Sequence, residues 1–435
     1  MRSNILKNIT WLGAGNAVVK PLWFVFITAV CVRILGMAEY GVVTAALALV
    51  GIVMSLTNVG SSQYSTREVA RRCERASEYV SNFFPFRVVT GLLGIVVIML
   101  VGVVLGQRGN DLTALFFAAL YGVAMNLTEY CRALYRGFEM LRYEAVSIMI
   151  EKLLVIGAGT VLLLAYPSAS WLLAGMAIGM MLTLFGNVTW VFRRLAPFDW
   201  KKFDFSFFKR TLPYAFPLGL ASIFVVLYLR TDSIMLKAMQ GDIAAGQYGL
   251  AYRILESMIL LPAVVVAAYL PRLSSLFHEE ASRDFKRLMR HGLLSLGGIG
   301  LVLATVTTFA APWIIPILEP DPSSAPAIGI LQVLIWTFPF SAVNFLLSTS
   351  MTAMDDQKAL AWMLGSAAVF NVTLNAILIP SFSYFGASVA TLTTQILITG
   401  AMMLRYKRRS ARFQGSGSRL VETASETPPE PPLSL

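Results

Sequence analysis

Apolar residues run along this sequence in long blocks, unlike the alternation of a half-buried strand or the stripe of a surface helix. A block of about 20 apolar residues, wound as a helix, crosses the hydrocarbon core of a bilayer. Helices are expected because lipid provides no partner for open backbone N–H and C=O groups. Twelve blocks predict twelve spans, at 9–35, 39–61, 82–106, 112–134, 145–166, 168–192, 213–239, 246–270, 291–317, 325–352, 359–380 and 383–404.

The composition agrees with a chain that lies mostly in lipid. Of its 435 residues, 57% are hydrophobic and 14% are charged, whereas a soluble domain carries about 25% charged residues. The first apolar block is too long for a cleaved signal peptide and lacks a convincing cleavage site. The predicted fold class is therefore an all-α polytopic membrane protein.

The basic residues predict the orientation of the spans. With the N-terminus inside, most of the 35 Lys and Arg residues fall in cytoplasmic segments, and the opposite side carries only Arg33, Arg108 and Lys237. This asymmetry follows the positive-inside rule and places both termini in the cytoplasm. The net charge of +11 then reflects topology, and no nucleic-acid partner is needed to explain it.

The chain repeats itself, which predicts two lobes. "LGMAEYGVVTAALAL" around Tyr40 returns as "QGDIAAGQYGLAYRILE" around Tyr248, each copy after a long span and before a basic loop. We expect six-helix lobes at 1–192 and 213–408, related as a parallel repeat around a central cavity, with a disordered tail at 409–435.

The segment between the two lobes, at 193–212, is basic and aromatic. It predicts an amphipathic cytoplasmic linker whose rings lie at headgroup depth and whose lysines face anionic lipid. The alternative is an ordinary solvated loop.

Motifs of common enzymes are missing from the sequence. It contains no P-loop, HExxH, CxxC pair or GxSxG, and its two histidines, His278 and His291, lie in or beside a cytoplasmic loop. The short loops of the outer side leave no platform for a glycosyltransferase or polymerase. We therefore expect a transporter rather than an enzyme, with no cofactor and no metal site.

Several charged residues nevertheless fall inside predicted spans. They include Lys20, Arg230, Arg253, Asp232 and Glu256, with Glu151 and Lys152 in the N-terminal half. An ionised side chain at the bilayer centre costs about 2.5–3.5 kcal/mol or more, so such groups should face a cavity or each other.

Helix geometry limits how these charges can pair. Residues two apart point in directions that differ by about 200°, so Arg230 and Asp232 cannot pair, whereas Arg253 and Glu256, three apart, can. We expect Asp232 to balance a neighbouring cation, with Arg253 the leading candidate. The alternative for Asp232 and Glu256 is that both form structural ion pairs between helices and so stabilise the C-terminal half of the chain.

The cations suggest what the cavity binds. Lys20, Arg230 and Arg253 outnumber the anionic partners in their spans, which makes sense if the substrate carries the negative charge. Arginine suits a diphosphate because its planar fork binds two oxygens. We therefore predict that these three residues bind substrate, and that Asp232 and Glu256 serve in ion coupling or charge pairing.

Three stretches, taken in order, resemble the polysaccharide-export flippases of the Wzx type, which share the MOP superfamily with MATE drug exporters and lipid II flippases. The stretch 34–70 matches the N-terminal pattern of that family. The stretch 230–276 contains Arg-x-Asp, Gly-x-Tyr and Pro-Arg-x-Ser, and 371–397 contains Asn-x-x-Leu-Asn, Ile-Pro and Gly-Ala-x-x-Ala-Thr. The resemblance covers nearly the whole chain to about residue 408.

This resemblance implies a two-lobed bundle around a partly cationic cavity. The implied substrate is an oligosaccharide on a polyprenyl diphosphate, flipped from the cytoplasmic to the outer leaflet of a bacterial inner membrane for O-antigen, capsule or exopolysaccharide synthesis. Membrane lipid, an H⁺ or Na⁺ counter-ion and other polysaccharide assembly proteins are the implied partners.

Three alternatives stay open. Lipid II flippases are usually longer, with two extra spans. A MATE-like exporter of small cations would want a net acidic cavity, and an enzyme or scaffold of the same pathway would want an extramembrane platform.

Overall fold

The computed structural model describes residues 19, 21–267, 269–278 and 281–425, and in this part of the chain the regular structure is helical, with no strand. The helices are α1 (21–35), α2 (37–58), α3 (Ser61–Arg71), α4 (Ala76–Val104), α5 (Asn110–Gly137), α6 (Leu141–Ala165), α7 (Ala169–Trp190), α8 (Phe205–Gln240), α9 (Asp242–Met258), α10 (Leu260–Ala267), α11 (Tyr269–His278), α12 (Ser282–Leu318), α13 (Pro326–Leu334), α14 (Thr337–Ala353), α15 (357–382) and α16 (384–425).

The helices account for the twelve predicted spans. Within the described residues, seven helices are long and apolar enough to cross a membrane, and α13 with α14, bent by 45°, makes an eighth. Two of the seven, Pro21–Asn58 and Gln357–Ser410, have 38 and 54 residues, far more than the about 20 of one crossing. Each of these two is therefore a pair of spans. Adding α8 and the succession α9–α11 gives twelve, so the predicted fold class is confirmed.

Two residues with left-handed backbone separate the paired spans. Gly36 has φ 73° between α1 and α2, and Ser383 has φ 50° between α15 and α16. The chain reverses after Ser383, because a Cβ on Gly386 would lie 2.5 Å from the carbonyl oxygen of Leu378, eight residues earlier.

Helices inside a lobe pack through small residues, and their outer surfaces are large and apolar. In the N-terminal lobe, Gly175 and Gly179 of α7 bring its backbone against α6, since an added Cβ would lie 2.4 Å and 2.5 Å from the carbonyl oxygens of Ala158 and Leu154. Close backbone approach at small residues is a general feature of helix packing in lipid. The exposed positions of α4 and α12, such as Leu100 and Phe309, are apolar and suit contact with lipid tails.

The two lobes meet along α2, which lies against α8 and α9. We call the side where the chain leaves α2, α5, α7 and α14 the basic face, and the other side the opposite face. Near the opposite face, a Cβ on Gly246 would overlap the carbonyl of Met37. Near the basic face, a Cβ on Gly60 would overlap the carbonyl of Ala215. Backbone therefore touches backbone between the lobes at both ends of α2.

The predicted linker, 193–212, is only partly a surface segment. It contains a π-helical turn, Val191–Leu195, and a 3₁₀ turn, Trp200–Lys202, before α8 begins at Phe205 rather than at the predicted 213. Phe207 and Phe208 are buried against Phe83 of the N-terminal lobe, with ring centroids at 5.1 Å and 6.1 Å. Trp200 and Phe205 are exposed, so about half of the linker's rings anchor it to the protein.

The last helix passes the predicted end of the bundle. α16 extends to Ser425 and so enters the stretch 409–435, for which we expected a disordered tail. Residues 426–435 lie outside the described residues.

Candidate functional site

Glu256 joins the two arginines that the sequence placed in mid-membrane. Arg230 of α8 donates to Glu256 Oε1 at 2.6 Å, and Arg253 of α9 donates to Glu256 Oε2 at 2.7 Å. The predicted pairing of Arg253 with Glu256 is confirmed. Arg230, which we expected to lack an anionic partner, shares the same carboxylate. One carboxylate against two guanidinium groups leaves this trio with a net positive charge.

The side chains of the trio stay partly accessible at mid-membrane depth. Most of α9 from Ala245 to Leu255 is buried, while the side chains of Arg253 and Glu256 are 12% and 35% exposed, and that of Arg230 is 27% exposed. Many of the exposed residues along the other spans are large and apolar. Charged groups that stay accessible at this depth indicate a water-filled cavity rather than a lipid-facing surface.

Asp232 is not part of this trio, and the expectation that it balances Arg253 is wrong. Its side chain is fully buried in the C-terminal lobe. It accepts hydrogen bonds from the Tyr248 hydroxyl, from the Ser233 N–H at 2.8 Å and from the Thr391 hydroxyl at 3.5 Å. The reason is helical direction: Asp232 points away from Arg230 and into α9 and α16.

Uncharged polar side chains also bond to each other on α15 and α16, the second of which contributes Thr391 to Asp232. Asn371 donates to the Thr394 hydroxyl at 3.3 Å and accepts from Asn375 at 3.0 Å. The Asn375 Oδ1 atom is buried without a hydrogen-bond partner. The described residues contain no group of three or more His, Cys, Asp or Glu that could hold a metal ion. Carboxylate and carbonyl oxygens are in general the ligands that hard cations prefer.

Lys20, the third predicted substrate contact, lies outside the described residues. Its place in the cavity stays a prediction. Trp23, three residues later in the sequence, belongs to α1, and the Lys152 ammonium of α6 lies over its ring, 4.3 Å from the centroid.

A second charged trio in the N-terminal lobe was missed. Arg132 donates to Glu151 Oε2 at 2.7 Å and Lys152 donates to Glu151 Oε1 at 2.6 Å. Glu151 and Lys152 received no role from the sequence, and Arg132 was not among the charges assigned to the spans. The signal that could have found the trio is the position of Arg132 inside the predicted span 112–134.

Two polar contacts join the lobes at the opposite face. Lys237 of α8, 9% exposed, donates to Asp111 of the N-terminal lobe at 2.7 Å and also pairs with Asp242. Arg33 donates to the carbonyls of Ile317 and Leu318 at the end of α12, the latter at 2.9 Å. With the contact at Gly246, these bonds hold the lobes together at that face.

An apolar cavity of about 440 Å³ opens beside the C-terminal trio. Its lining includes Val226 and Leu229 of α8, Phe345 of α14 and Met402 of α16, with a few polar groups such as Tyr228. Leu229 directly precedes Arg230, so apolar space begins next to the charged site.

The sequence model of one family, described as polysaccharide biosynthesis protein, matches residues 5–277. That is more than half of the chain. The protein belongs to this family. A second model, MatE, matches residues 217–377, which agrees with the resemblance to the MOP superfamily.

Two curated relatives are similar in sequence. An uncharacterized membrane protein of Methanocaldococcus jannaschii is 24% identical over 88% of this chain and 94% of its own length. A probable flippase of Haloferax volcanii, AglR, is 26% identical over 39% of this chain and 36% of its own length.

Solved structures share the fold. An inward-facing multidrug resistance transporter of the MATE family superimposes with a TM-score of 0.75 at 14% identity, over 94% of this chain and 99% of that one. The lipid II flippase MurJ in an inward closed conformation gives a TM-score of 0.72 at 15% identity, over 96% and 93%. The family and the fold together identify a multi-pass, flippase-type transporter of the MOP superfamily.

Proposed function

We propose that this transporter moves an oligosaccharide carried on a polyprenyl diphosphate from the cytoplasmic to the outer leaflet of a bacterial inner membrane. The observation that carries the proposal is the Arg230–Glu256–Arg253 trio on an open mid-membrane face. Its net positive charge is neutralised when an anionic group enters, and guanidinium groups suit phosphate oxygens. Membership of the polysaccharide biosynthesis protein family supports the same substrate class.

The surroundings of the trio fit the two other parts of such a substrate. The apolar cavity that begins at Leu229 offers space for the first isoprene units of the lipid. The cavity between the lobes takes the sugars, whose hydroxyl groups need water or polar partners.

The contacts between the lobes support loading from the cytoplasm. The positive-inside distribution supports a cytoplasmic location of the basic face and of both termini. The bonds of Lys237 and Arg33 close the opposite face, and release to the outer leaflet then requires them to break. This is alternating access between the two lobes.

Asp232 is the candidate for coupling to an ion. It is a buried carboxylate that accepts hydrogen bonds from Tyr248, Ser233 and Thr391, which suits binding of H⁺ or Na⁺. Because Tyr248 and Thr391 belong to different helices, occupation of this site by a cation changes how α9 and α16 pack against α8.

A lipid II flippase is the second candidate, because MurJ, which shares the fold, is named as a flippase of lipid II. A MATE-like exporter of small cations is less favoured, since the accessible trio is net positive.

Depletion of the protein in its host tests the proposal. The lipid-linked oligosaccharides are extracted, and their leaflet is assigned by labelling of intact cells with an impermeant oxidant of sugars. We expect an oligosaccharide diphosphate to accumulate on the inner leaflet and surface polysaccharide to decline. Accumulation of the cell-wall precursor alone would favour a lipid II flippase. A normal lipid pool, with sensitivity to organic cations, would favour the exporter and contradict the proposal.

A further inference from the structure

The charged trio of the N-terminal lobe repeats the design of the C-terminal trio. In each, two cations share one carboxylate, and each carboxylate oxygen takes one cation: Arg132 and Lys152 on Glu151, Arg230 and Arg253 on Glu256. Each trio therefore keeps one formal positive charge. The two are not copies of each other in the internal repeat, because they lie on helices that the repeat does not relate.

Both trios lie near the middle of the membrane. Lys152 is eleven residues into α6 and Arg253 is eleven residues into α9, so each lies about 16 Å from the end at which its helix begins. Helix α6 begins at the basic face and α9 begins at the opposite face. Lys152 and Arg253 therefore lie at similar depth in the membrane.

Helix α1 connects the N-terminal trio to the boundary between the lobes. The Lys152 ammonium lies over the ring of Trp23 on α1, and Arg33, ten residues later on the same helix, donates to the carbonyls of Ile317 and Leu318 in the other lobe. Tyr121 of α5, 6% exposed, is within electrostatic range of both Lys152 and Arg253.

Only one member of the N-terminal trio can be reached by a ligand. Arg132 is 9% exposed and is fixed by hydrogen bonds to the Oγ of Ser147 at 3.0 Å and its carbonyl at 3.1 Å, while Glu151 is 4% exposed. The Lys152 side chain is 20% exposed, with its ammonium over the Trp23 ring. Arg132 and Glu151 are positioning residues, and Lys152 is the group that a ligand would touch.

On the basis of the proposed function, we infer that Lys152 supplies the N-terminal half of a two-walled site for a doubly esterified diphosphate, with Arg230 and Arg253 as the other half. Each phosphate of such a lipid carries about one negative charge. The single positive charge of each trio matches one phosphate, so a diphosphate neutralises both. A phosphodiester-linked lipid would leave one trio uncompensated, and uncompensated charge at this depth is costly.

Binding to the purified full-length protein in nanodiscs tests this inference. The probes are N-acetylglucosamine joined to farnesol through a diphosphate or through a single phosphate. For Lys152→Gln we expect the Kd of the diphosphate probe to rise about tenfold or more, as loss of a charge-assisted hydrogen bond implies. The Kd of the monophosphate probe should change much less. Lys152→Arg should bind as the unsubstituted protein does, and so should the control Lys358→Gln, which changes an exposed lysine of the basic face.

A double variant separates charge from structure. Lys152→Gln leaves the trio neutral, whereas Glu151→Gln with Lys152→Gln leaves Arg132 unpaired and restores one positive charge. We expect the double variant to recover only the part of the lost affinity that comes from net charge, because Arg132 is 9% exposed and does not touch the ligand. If Lys152 only holds the helices together, the double variant should be worse than the single one. If Lys152→Gln inserts poorly, the double variant is compared with Lys152→Arg instead, and this comparison still tests the inference.

The outcomes distinguish this inference from the proposed function. Unchanged diphosphate binding by Lys152→Gln, together with weak binding by Arg230→Ala, would overturn the N-terminal half-site and keep the function. Equal loss of both probes in Lys152→Gln would also overturn it. If the unsubstituted protein binds neither probe, both the proposed function and this inference fail.

Discussion

The hydroxyl of Tyr248 donates a hydrogen bond to the carboxylate of Asp232 inside the C-terminal lobe. The two residues come from adjacent helices, α8 and α9, and their bond separates Asp232 from the arginines that lie nearby in sequence. The lobe therefore holds two distinct polar sites. One is a cationic trio that stays accessible, and the other is a buried carboxylate among uncharged groups.

We expect Asp232→Asn to insert at near-normal abundance, because an amide oxygen can still accept from Tyr248 and Ser233. Transport should lose its dependence on the coupling ion, since the site loses its negative charge. Transport in proteoliposomes with imposed H⁺ or Na⁺ gradients measures this. Arg253→Gln should bring no rescue. Severe loss of protein that Arg253→Gln restores would show that the two residues are paired after all.

Glu256→Gln should destabilise the protein, because it leaves Arg230 and Arg253 facing each other without a carboxylate. Removing one partner of a buried pair costs about 3–5 kcal/mol, and water in the cavity reduces this. The melting temperature in detergent measures the change. Adding Arg253→Gln should recover part of it.

The control for that experiment is Glu78→Gln. Glu78 pairs with Arg75 at 2.9 Å on the surface of the basic face, where an ion pair contributes about 0–1 kcal/mol. Equal melting temperatures of Glu256→Gln and Glu78→Gln would contradict the shared role of Glu256.

Gly246→Ala should force the lobes apart at the opposite face, because its Cβ overlaps the carbonyl of Met37. Overpacking of this kind costs about 1–3 kcal/mol, and backbone cannot move aside as a side chain can. Gly298→Ala on α12 is the matched control, since nothing lies within 4 Å of its Cβ. Melting temperatures and transport rates should fall for the first variant only. Normal behaviour of Gly246→Ala would show that this contact does not limit lobe closure.

Lys237→Met should open the same face, because it leaves Asp111 and Asp242 close together without their shared cation. Ala45 lines the small cleft beside Lys237 and is 3% exposed, so a cysteine there reports on opening. In a background without native cysteines, an impermeant maleimide should label Ala45→Cys about fivefold faster in Lys237→Met. This factor corresponds to a change of ~1 kcal/mol in the free energy of opening at this face. Lys237→Arg should label slowly. Equal labelling rates with Lys237, Lys237→Met and Lys237→Arg would show that the ion pairs do not keep this face closed.

Features that depend on one helix or one apolar run could be predicted from the sequence. The twelve spans follow from block length, and the bond between Arg253 and Glu256 follows from their spacing of three. Features that depend on which helices pack against each other could not be predicted from the sequence. Arg230 reaches a glutamate 26 residues away, because α8 and α9 pack side by side.

The same limit explains the other differences. Asp232 finds Tyr248 and Thr391 on two other helices, which no spacing rule indicates. The position of Arg132 inside a predicted span indicates a charge at membrane depth, but its bond to Glu151 depends on how α5 and α6 pack.

Transport of a fluorescent lipid in proteoliposomes tests the central claim most directly. The lipid is a polyprenyl diphosphate that carries a labelled oligosaccharide, and its movement between leaflets is followed by quenching from outside. We expect the unsubstituted protein to move it, Arg230→Lys to be slower because the bidentate fork is lost, and Arg230→Ala to be slower by about tenfold or more. All three proteins should reconstitute equally. Full-rate movement by Arg230→Ala, or no movement by the unsubstituted protein, would contradict the account.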